Sequence, residues 1–497
     1  MNALGLLARI EAIVERAAVA ETIEGRLPVG VRPRQLTVHT LLVGMLLAIA
    51  DDRPAHLVRA HRALLALPEG DRRRLGVVVR TRRGPHLLTY RQVEYTARLV
   101  VAALAKPTPD GAPSEDLQRV VDALVEASIP AEVASASSSL AVDWTDQETF
   151  ARPPVAAGGL GADPEAAWGH RRGGPHKGEL FFGYYFQAAT MVRDETGPAV
   201  PELVRRMAVS SCALDPVPLL VPVLARLGAL TALGDVLCDS GYAHRTPEHW
   251  ALPIRDMGAA LIMDLHPSDR GTKGTYQGAI CHNGSLYCPS TPKALLGLEP
   301  LGRQAGPAEI AAHDRRAAEL ARYRLGAVTS TDSDGYHRAM CPAALGKVRC
   351  PAKPASLTLA FDRPEVATPP DDLPACCAQS TITVPPEVNA KTAQKHPYPS
   401  AAHRRSYARR TAVERSYSTM KDPASTDTTR GWCRLMGLVA HSLLLGCAVV
   451  VRNLRVLDAF EERQLDDDRR RQAGMPVRTR RRRRRTIDDL LAPSAVG

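Results

Sequence analysis

The chain has 497 residues, 45% of them hydrophobic and 24% charged, which is enough to bury a sizeable core and excludes a disordered or fibrous polymer. Its 64 Lys and Arg stand against 53 Asp and Glu, and the net charge of +11 favours a polyanionic partner, either nucleic acid or an anionic membrane surface. Aromatic residues make up only 4% of the chain, so a stacking platform for single strands is not its theme.

The first twenty residues carry Arg9, Glu11, Glu15 and Arg16 within an apolar stretch, which predicts an amphipathic helix and not a signal peptide. Residues 1–130 read as helical. Segments 36–50 (LTVHTLLVGMLLAIA) and 55–67 (AHLVRAHRALLAL) are apolar at helical spacing, and Thr89 with Gln92 forms a capping-box pair that opens a third helix. Arginine is dense between them, at Arg72, Arg73, Arg74, Arg80, Arg82 and Arg83, and residues 106–114 (KPTPDGAPS) read as a linker. A basic helical module of this kind suits DNA binding; a plain packing domain suits it nearly as well.

Residues 131–270 change texture. Segment 137–142 (SSSLAV) reads as a strand ending at Asp143, followed by a Gly- and Pro-rich loop over 152–178. Strands are expected over 179–192 and 207–213, a helix over 221–233, and short strands over 236–238 and 259–263. Strands followed by a helix and further strands predict a mixed α/β sheet flanked by helices. Residues 271–402 show little helical periodicity, many prolines and six of the ten cysteines, and read as a strand-rich insertion.

The core should resume over 403–456 with a basic helix at 403–421, ended by Pro423, and an apolar helix at 432–454. The longest apolar run, 436–451, has 16 residues and falls short of the ~20 that span a bilayer, so no membrane partner is expected. Residues 457–497 read as a basic, disordered tail that includes an unbroken arginine run at 480–485 and adds DNA affinity without sequence preference.

Three acids stand at informative places. Asp143 and Asp239 each end an apolar strand, which puts them at one rim of the sheet. Glu414 lies within the basic helix, and at ~100° per residue Tyr407, Arg410, Glu414 and Lys421 share one helix face. Such a face can aim a carboxylate at a metal, flanked by two cations for phosphates and an aromatic for a base. Rivals exist: Asp146 for Asp143, Asp264 for Asp239, and a simple Arg410 ion pair for Glu414. A packed aromatic is as good a reading of Tyr407. Six cations against one acid on this helix make self-neutralisation a poor account.

The spacing Y-x2-R-x3-E-x6-K in YARRTAVERSYSTMK, with Asp143 in VDWTD and Asp239 in LCDSGY, resembles bacterial insertion-sequence transposases with a catalytic Asp-Asp-Glu set. The resemblance covers about residues 137–455 and implies an RNase H-like fold, α/β with a strand-rich insertion before the third acid. It further implies that Asp143, Asp239 and Glu414 hold Mg²⁺ or Mn²⁺ for cleavage at transposon ends and strand transfer. Arg410 and Lys421 would position phosphates, and Tyr407 would stack on a displaced base. The implied partner is double-stranded DNA, from transposon ends and target, bound by a homodimer in a cytoplasmic, nucleoid-associated setting. The alternatives are a catalytically silent or domesticated DNA-binding protein and a metal-dependent DNA nuclease of the same fold.

The insertion cysteines are Cys281, Cys288, Cys341, Cys350, Cys376 and Cys377. Three of them precede proline, as in metal-binding knuckles, yet none has the C-x2–4-C spacing of structural zinc. Buried free thiols are the simpler expectation and structural zinc the rarer one. Cys212, Cys238, Cys433 and Cys447 lie in apolar segments and are expected in the core.

Overall fold

The computed structural model describes residues 3–28, 34–81, 84–106, 112–155, 159, 161–171, 178–302, 304–366, 369 and 372–477. The arginine run at 480–485 lies outside the described residues, as do Arg82 and Arg83.

The central sheet is built on strands β1 (Ser139–Glu148), β2 (Leu180–Val192), β3 (Val204–Ser211), β4 (Asp235–Cys238) and β5 (Ala260–Met263). Their spatial order is β3-β2-β1-β4-β5, with the short strand Ala167–His170 also paired to the outer side of β2. β2 runs antiparallel to β1 and β3, whereas β1, β4 and β5 are mutually parallel. One half of the sheet is thus a meander and the other needs crossovers, which is a mixed α/β architecture.

β2 is apolar almost throughout (LFFGYYFQAATMV) because helices cover both of its faces. Gly183 is required there: a Cβ would run into the Gln147 carbonyl of β1. Side chains alternate across the sheet. Leu140, Val142, Val236 and Cys238 face helix α3 (Pro216–Gly228), while Ala141, Phe186, Ala188 and Leu237 face the opposite layer. α3 starts at Asp215, whose carboxylate accepts from the Val217 N–H at 3.2 Å, with Pro216 in the first turn. It begins five residues before the expected position, because the Asp-Pro start signal outweighs the later apolar run.

The opposite layer holds α4 (Ala401–Tyr407), α5 (Thr411–Lys421) and α6 (Leu438–Gln472). The basic helix is not one regular cylinder: residues Ala408–Arg410 form a tight 3-10 turn between α4 and α5. α6 is buried to Leu454, and Asn453 satisfies both backbone groups of Val204 at the edge of β3, at 3.0 and 2.9 Å. It then continues to Gln472, so the stretch 457–472 of the expected disordered tail is helical. Its charges make helix-compatible pairs such as Arg470–Asp466 at i,i+4.

The amino-terminal region is mostly helical, as expected, and includes α1 (Val38–Ala50) and α2 (Glu115–Glu126). Gln92 accepts from the Thr89 N–H at 2.7 Å, completing the capping box. A hairpin of Val78–Thr81 and Gly84–Leu87 interrupts the helices. α1 and α2 both pack on α6, and one continuous apolar core runs from Leu7 to Leu454, so the core does not divide at residue 130. Some arginines of this region answer local acids: Arg73 pairs with Glu69, and Arg74 with Glu11 and Asp71.

The insertion carries two three-stranded antiparallel sheets, as its strand-rich texture suggests. It also carries a helix, Pro307–Arg322, that the sequence hides: only His313 and Leu320 are buried, so no apolar stripe marks it. Among the described residues, no helix is long and apolar enough to cross a membrane.

Candidate active site

Asp143 lies in the middle of β1, not at its end; the strand runs five residues further because it stays paired with β2 through Glu148. Asp239 does follow its strand directly. Parallel pairing sets Leu140 beside Val236 and Ala141 beside Leu237, and each acid stands two residues beyond the second pair. The two acids are therefore neighbours across adjacent strands. By alternation they share the face of Ala141 and Leu237, the face covered by α5.

Asp239 also starts the short helix Ser240–Ala243, its Oδ1 accepting from the Gly241 N–H at 2.9 Å and the Tyr242 N–H at 3.4 Å. Glycine is needed at 241, because a Cβ there would strike the Trp144 ring and come within 3.0 Å of the Asp239 carboxylate. The D-S-G-Y string thus has a steric cause. Trp144 packs edge-on against Tyr242 at 4.8 Å, within the apolar cluster on the α3 side of the sheet.

Glu414 reaches this site from the helix layer. Arg410 donates through Nη1 to Asp143 Oδ2 at 2.9 Å and through Nη2 to Glu414 Oε1, so one guanidinium bridges the strand acid and the helix acid. Asp143 and Arg410 are 16% and 13% exposed, while Glu414 is 51% exposed and open to a substrate. Burial first, and the charge of Asp239 second, push the Asp143 carboxyl up to about 7, against the opposing pull of Arg410. The Arg410 guanidinium lies 5.5 Å over the Tyr407 ring, which stacks on His403 at 5.6 Å. Tyr407 is thereby a packed support for Arg410.

Lys421 is placed elsewhere. Its ammonium donates to Thr145 Oγ1 at 2.8 Å and to Asp146 Oδ1 at 2.9 Å, and Arg171 holds the other Asp146 oxygen at 3.2 Å. These two cations keep the Asp146 carboxyl below its usual range despite burial, which alone would raise it. Asp146 is a satisfied ion pair and does not compete with Asp143. Asp264, the rival of Asp239, accepts from the Tyr398 hydroxyl at 2.9 Å and pairs with Arg270 at 3.3 Å.

The basic helix is neutralised by distant acids, which sequence reasoning did not anticipate. Arg404 pairs with Asp314, Arg409 with Asp235 and Arg415 with Glu202. Also unforeseen was Tyr417, one turn beyond Glu414 on the buried face. Its hydroxyl accepts from the Ala188 N–H at 2.9 Å and donates to the Asp143 carbonyl at 2.5 Å, joining two residues paired across β1 and β2. The available signal was a tyrosine at a buried helical position, which must find a hydroxyl partner.

The residues present suit a hard divalent cation. Asp143, Asp239 and Glu414 offer only oxygen donors, and a cation would relieve the strain on the buried Asp143 carboxylate. A tighter group among the described residues is His244, His266 and Asp269, whose ligand atoms lie within 4.8 Å of one another. The Lys391 ammonium already holds Asp269 at 2.8 Å, so that group is an ion-paired cluster. No protein-family model matches this chain, and no curated protein matches it.

Proposed function

We propose that the chain is a DNA transposase that cleaves at transposon ends and joins the freed ends to target DNA. The observation that carries this reading is the meeting of Asp143 and Asp239 on neighbouring parallel strands with Glu414 held over them through Arg410. The acids are separated by 96 and 175 positions; Glu414 makes the local i,i+4 ion pair with Arg410, and what goes beyond local pairing is the reach of the same guanidinium to Asp143 on the strand. The strand order β3-β2-β1-β4-β5, half antiparallel and half parallel, supports an RNase H-like core.

In this reading Asp143, Asp239 and Glu414 hold Mg²⁺ or Mn²⁺. A divalent cation there supplies charge neutralisation and activation of water or a DNA 3′-hydroxyl for in-line attack on a phosphodiester. The chain's own residues do the rest. Arg410 is held at its site by two carboxylates and the Tyr407 ring, with its Nε buried and without a hydrogen-bond partner, and turns toward a phosphate as DNA arrives. Lys421 keeps β1 rigid beyond Asp143, and Tyr417 fixes the backbone that carries it. The DNA is double-stranded and is engaged by a homodimer at the nucleoid.

The test is cleavage of DNA carrying the sequences that flank the gene, with Mg²⁺ and with EDTA. Cleavage should require the cation, and Glu414→Gln should lower it by orders of magnitude while DNA affinity holds or rises. Cation-independent cleavage, or normal cleavage by Glu414→Gln, would overturn the assignment. Cutting without joining would favour the nuclease reading.

A further inference from the structure

Four cysteines of the insertion line one small chamber, with no three of their sulfurs within 4.8 Å of one another, so a shared ion would draw the side chains inward. Cys288 follows the strand Ser285–Tyr287, Cys341 follows the strand His337–Met340, Cys350 opens a turn, and Cys377 lies in the short helix Ala375–Ala378. They are 53, 9 and 27 positions apart, yet all four line a cavity of about 10 Å³. That volume is about the ~10–15 Å³ needed for a single water, the scale of one ion and not of an organic ligand. Each of the four is 6–7% exposed.

The local backbone has the form of metal-binding knuckles. Cys288, Cys341 and Cys350 each precede proline, and each carbonyl accepts a turn hydrogen bond, from Thr291 at 3.0 Å, Leu345 at 3.0 Å and Lys353 at 2.9 Å. Backbone N–H groups also turn toward sulfur, Ser290 toward Cys288 and both Ala352 and Lys353 toward Cys350. Such donors stabilise thiolate and are otherwise wasted on a neutral thiol. Cys377 and its neighbour Cys376 have their sulfurs 3.9 Å apart and belong to the same apolar cluster, but Cys376 lies beside Gly278 and does not line the chamber.

We propose that Cys288, Cys341, Cys350 and Cys377 bind one structural zinc ion. Four soft sulfur donors in a closed site select zinc over the hard cations that suit carboxylates. Binding replaces four S–H protons with four Zn–S bonds of ~2.3 Å and releases the protons to solvent; no oxidant is involved. The insertion has reason to need it. Its apolar clusters are small, one around Tyr287, Leu320 and Val366 and one around Ala339, Ile382 and Val384. Cores of that size leave a small module dependent on a staple. The zinc ties the end of one three-stranded sheet to the end of the other, because Cys288 leaves the first and Cys341 leaves the second. This inference does not rest on the transposase reading.

The full-length chain, purified under reducing conditions without chelator, should carry about one zinc per molecule by elemental analysis. After exchange it should take up about one cobalt, giving intense visible bands of a tetrahedral sulfur site together with sulfur-to-cobalt charge transfer. Cys341→Ser and Cys350→Ser should lose the metal, while Cys281→Ser, a buried thiol outside the chamber, should keep it. Should the first two variants fail to fold, titration of the wild type with a thiol reagent decides: zinc must leave in step with the reacting thiols. Wild type without zinc and without a sulfur–cobalt spectrum overturns the proposal, as does a Cys288–Cys377 disulfide or equal metal loss in Cys281→Ser.

Discussion

Asp143 and Asp146 lie three residues apart on one strand and experience opposite environments. Around Asp143, burial and a second acid outweigh one guanidinium, and the carboxyl is pushed up to about 7. Around Asp146, Lys421 and Arg171 outweigh burial, and the carboxyl is held low. The comparison separates a charge that stabilises the fold from one kept at a cost to it, and such a cost is a mark of function.

The largest expected effect is on catalysis. Asp143→Asn and Asp239→Asn should each lower DNA cleavage by roughly 10³-fold or more, whereas Asp146→Asn should stay within about tenfold of wild type. A side-by-side cleavage time course measures it, and equal losses at 143 and 146 would erase the distinction.

Stability should show the reverse order. Asp146→Asn removes the partner of two half-buried cations and should cost roughly 1–2 kcal/mol near neutral pH, read by denaturant melts. Asp143→Asn should raise the melting temperature in EDTA. A carboxyl raised in the folded state adds stability that is full below its ordinary pKa of 3.8 and lost as pH rises toward about 7. The gain from Asp143→Asn should therefore be large near pH 8 and fade near pH 5. A gain independent of pH would point to packing instead.

An effect confined to acid pH concerns His441, buried in α6 against the Tyr184 ring at 4.7 Å with neither ring nitrogen hydrogen-bonded. Burial depresses it to about 4, so its neutral form contributes stability that is lost as pH falls from 6.5 toward that value. The loss is up to about 1.4 kcal/mol per pH unit in that window. His441→Leu should flatten the acid side of the stability profile, and an unchanged acid limb would assign it to other groups.

Much of the sheet was legible, because β2 is a continuous apolar run and β4 ends in an acid whose D-S-G-Y string has a steric cause. Asp239 was legible as the acid that follows β4, whereas Asp143 was read as a strand end and lies in mid-strand, and Glu414 makes the i,i+4 pair with Arg410 that its spacing offered. What stayed hidden was the partner of each cation. Lys421 was read as a phosphate ligand, and Arg409 and Arg415 as excess cations, and only folding brings Asp146, Asp235 and Glu202 to them. The helix Pro307–Arg322 was hidden because it exposes most of its surface. The cysteine chamber was hidden because its four members come from different turns, and no single spacing records them.

The Tyr417 hydroxyl has a mechanical consequence. Because it joins the Ala188 amide to the Asp143 carbonyl, it pins α5 to the β1–β2 pair, alongside the Lys421 ammonium on Thr145 and Asp146 and the Ser416–Thr190 hydroxyl pair. The helix cannot rotate or slide without loosening the strand beneath it. Force applied to its outer face is therefore delivered to the peptide that bears Asp143. Removing that one oxygen, in Tyr417→Phe, would leave every carboxylate and the Lys421 and Ser416 ties in place and loosen the layers at Asp143, seen as faster exchange of the Ala188 amide.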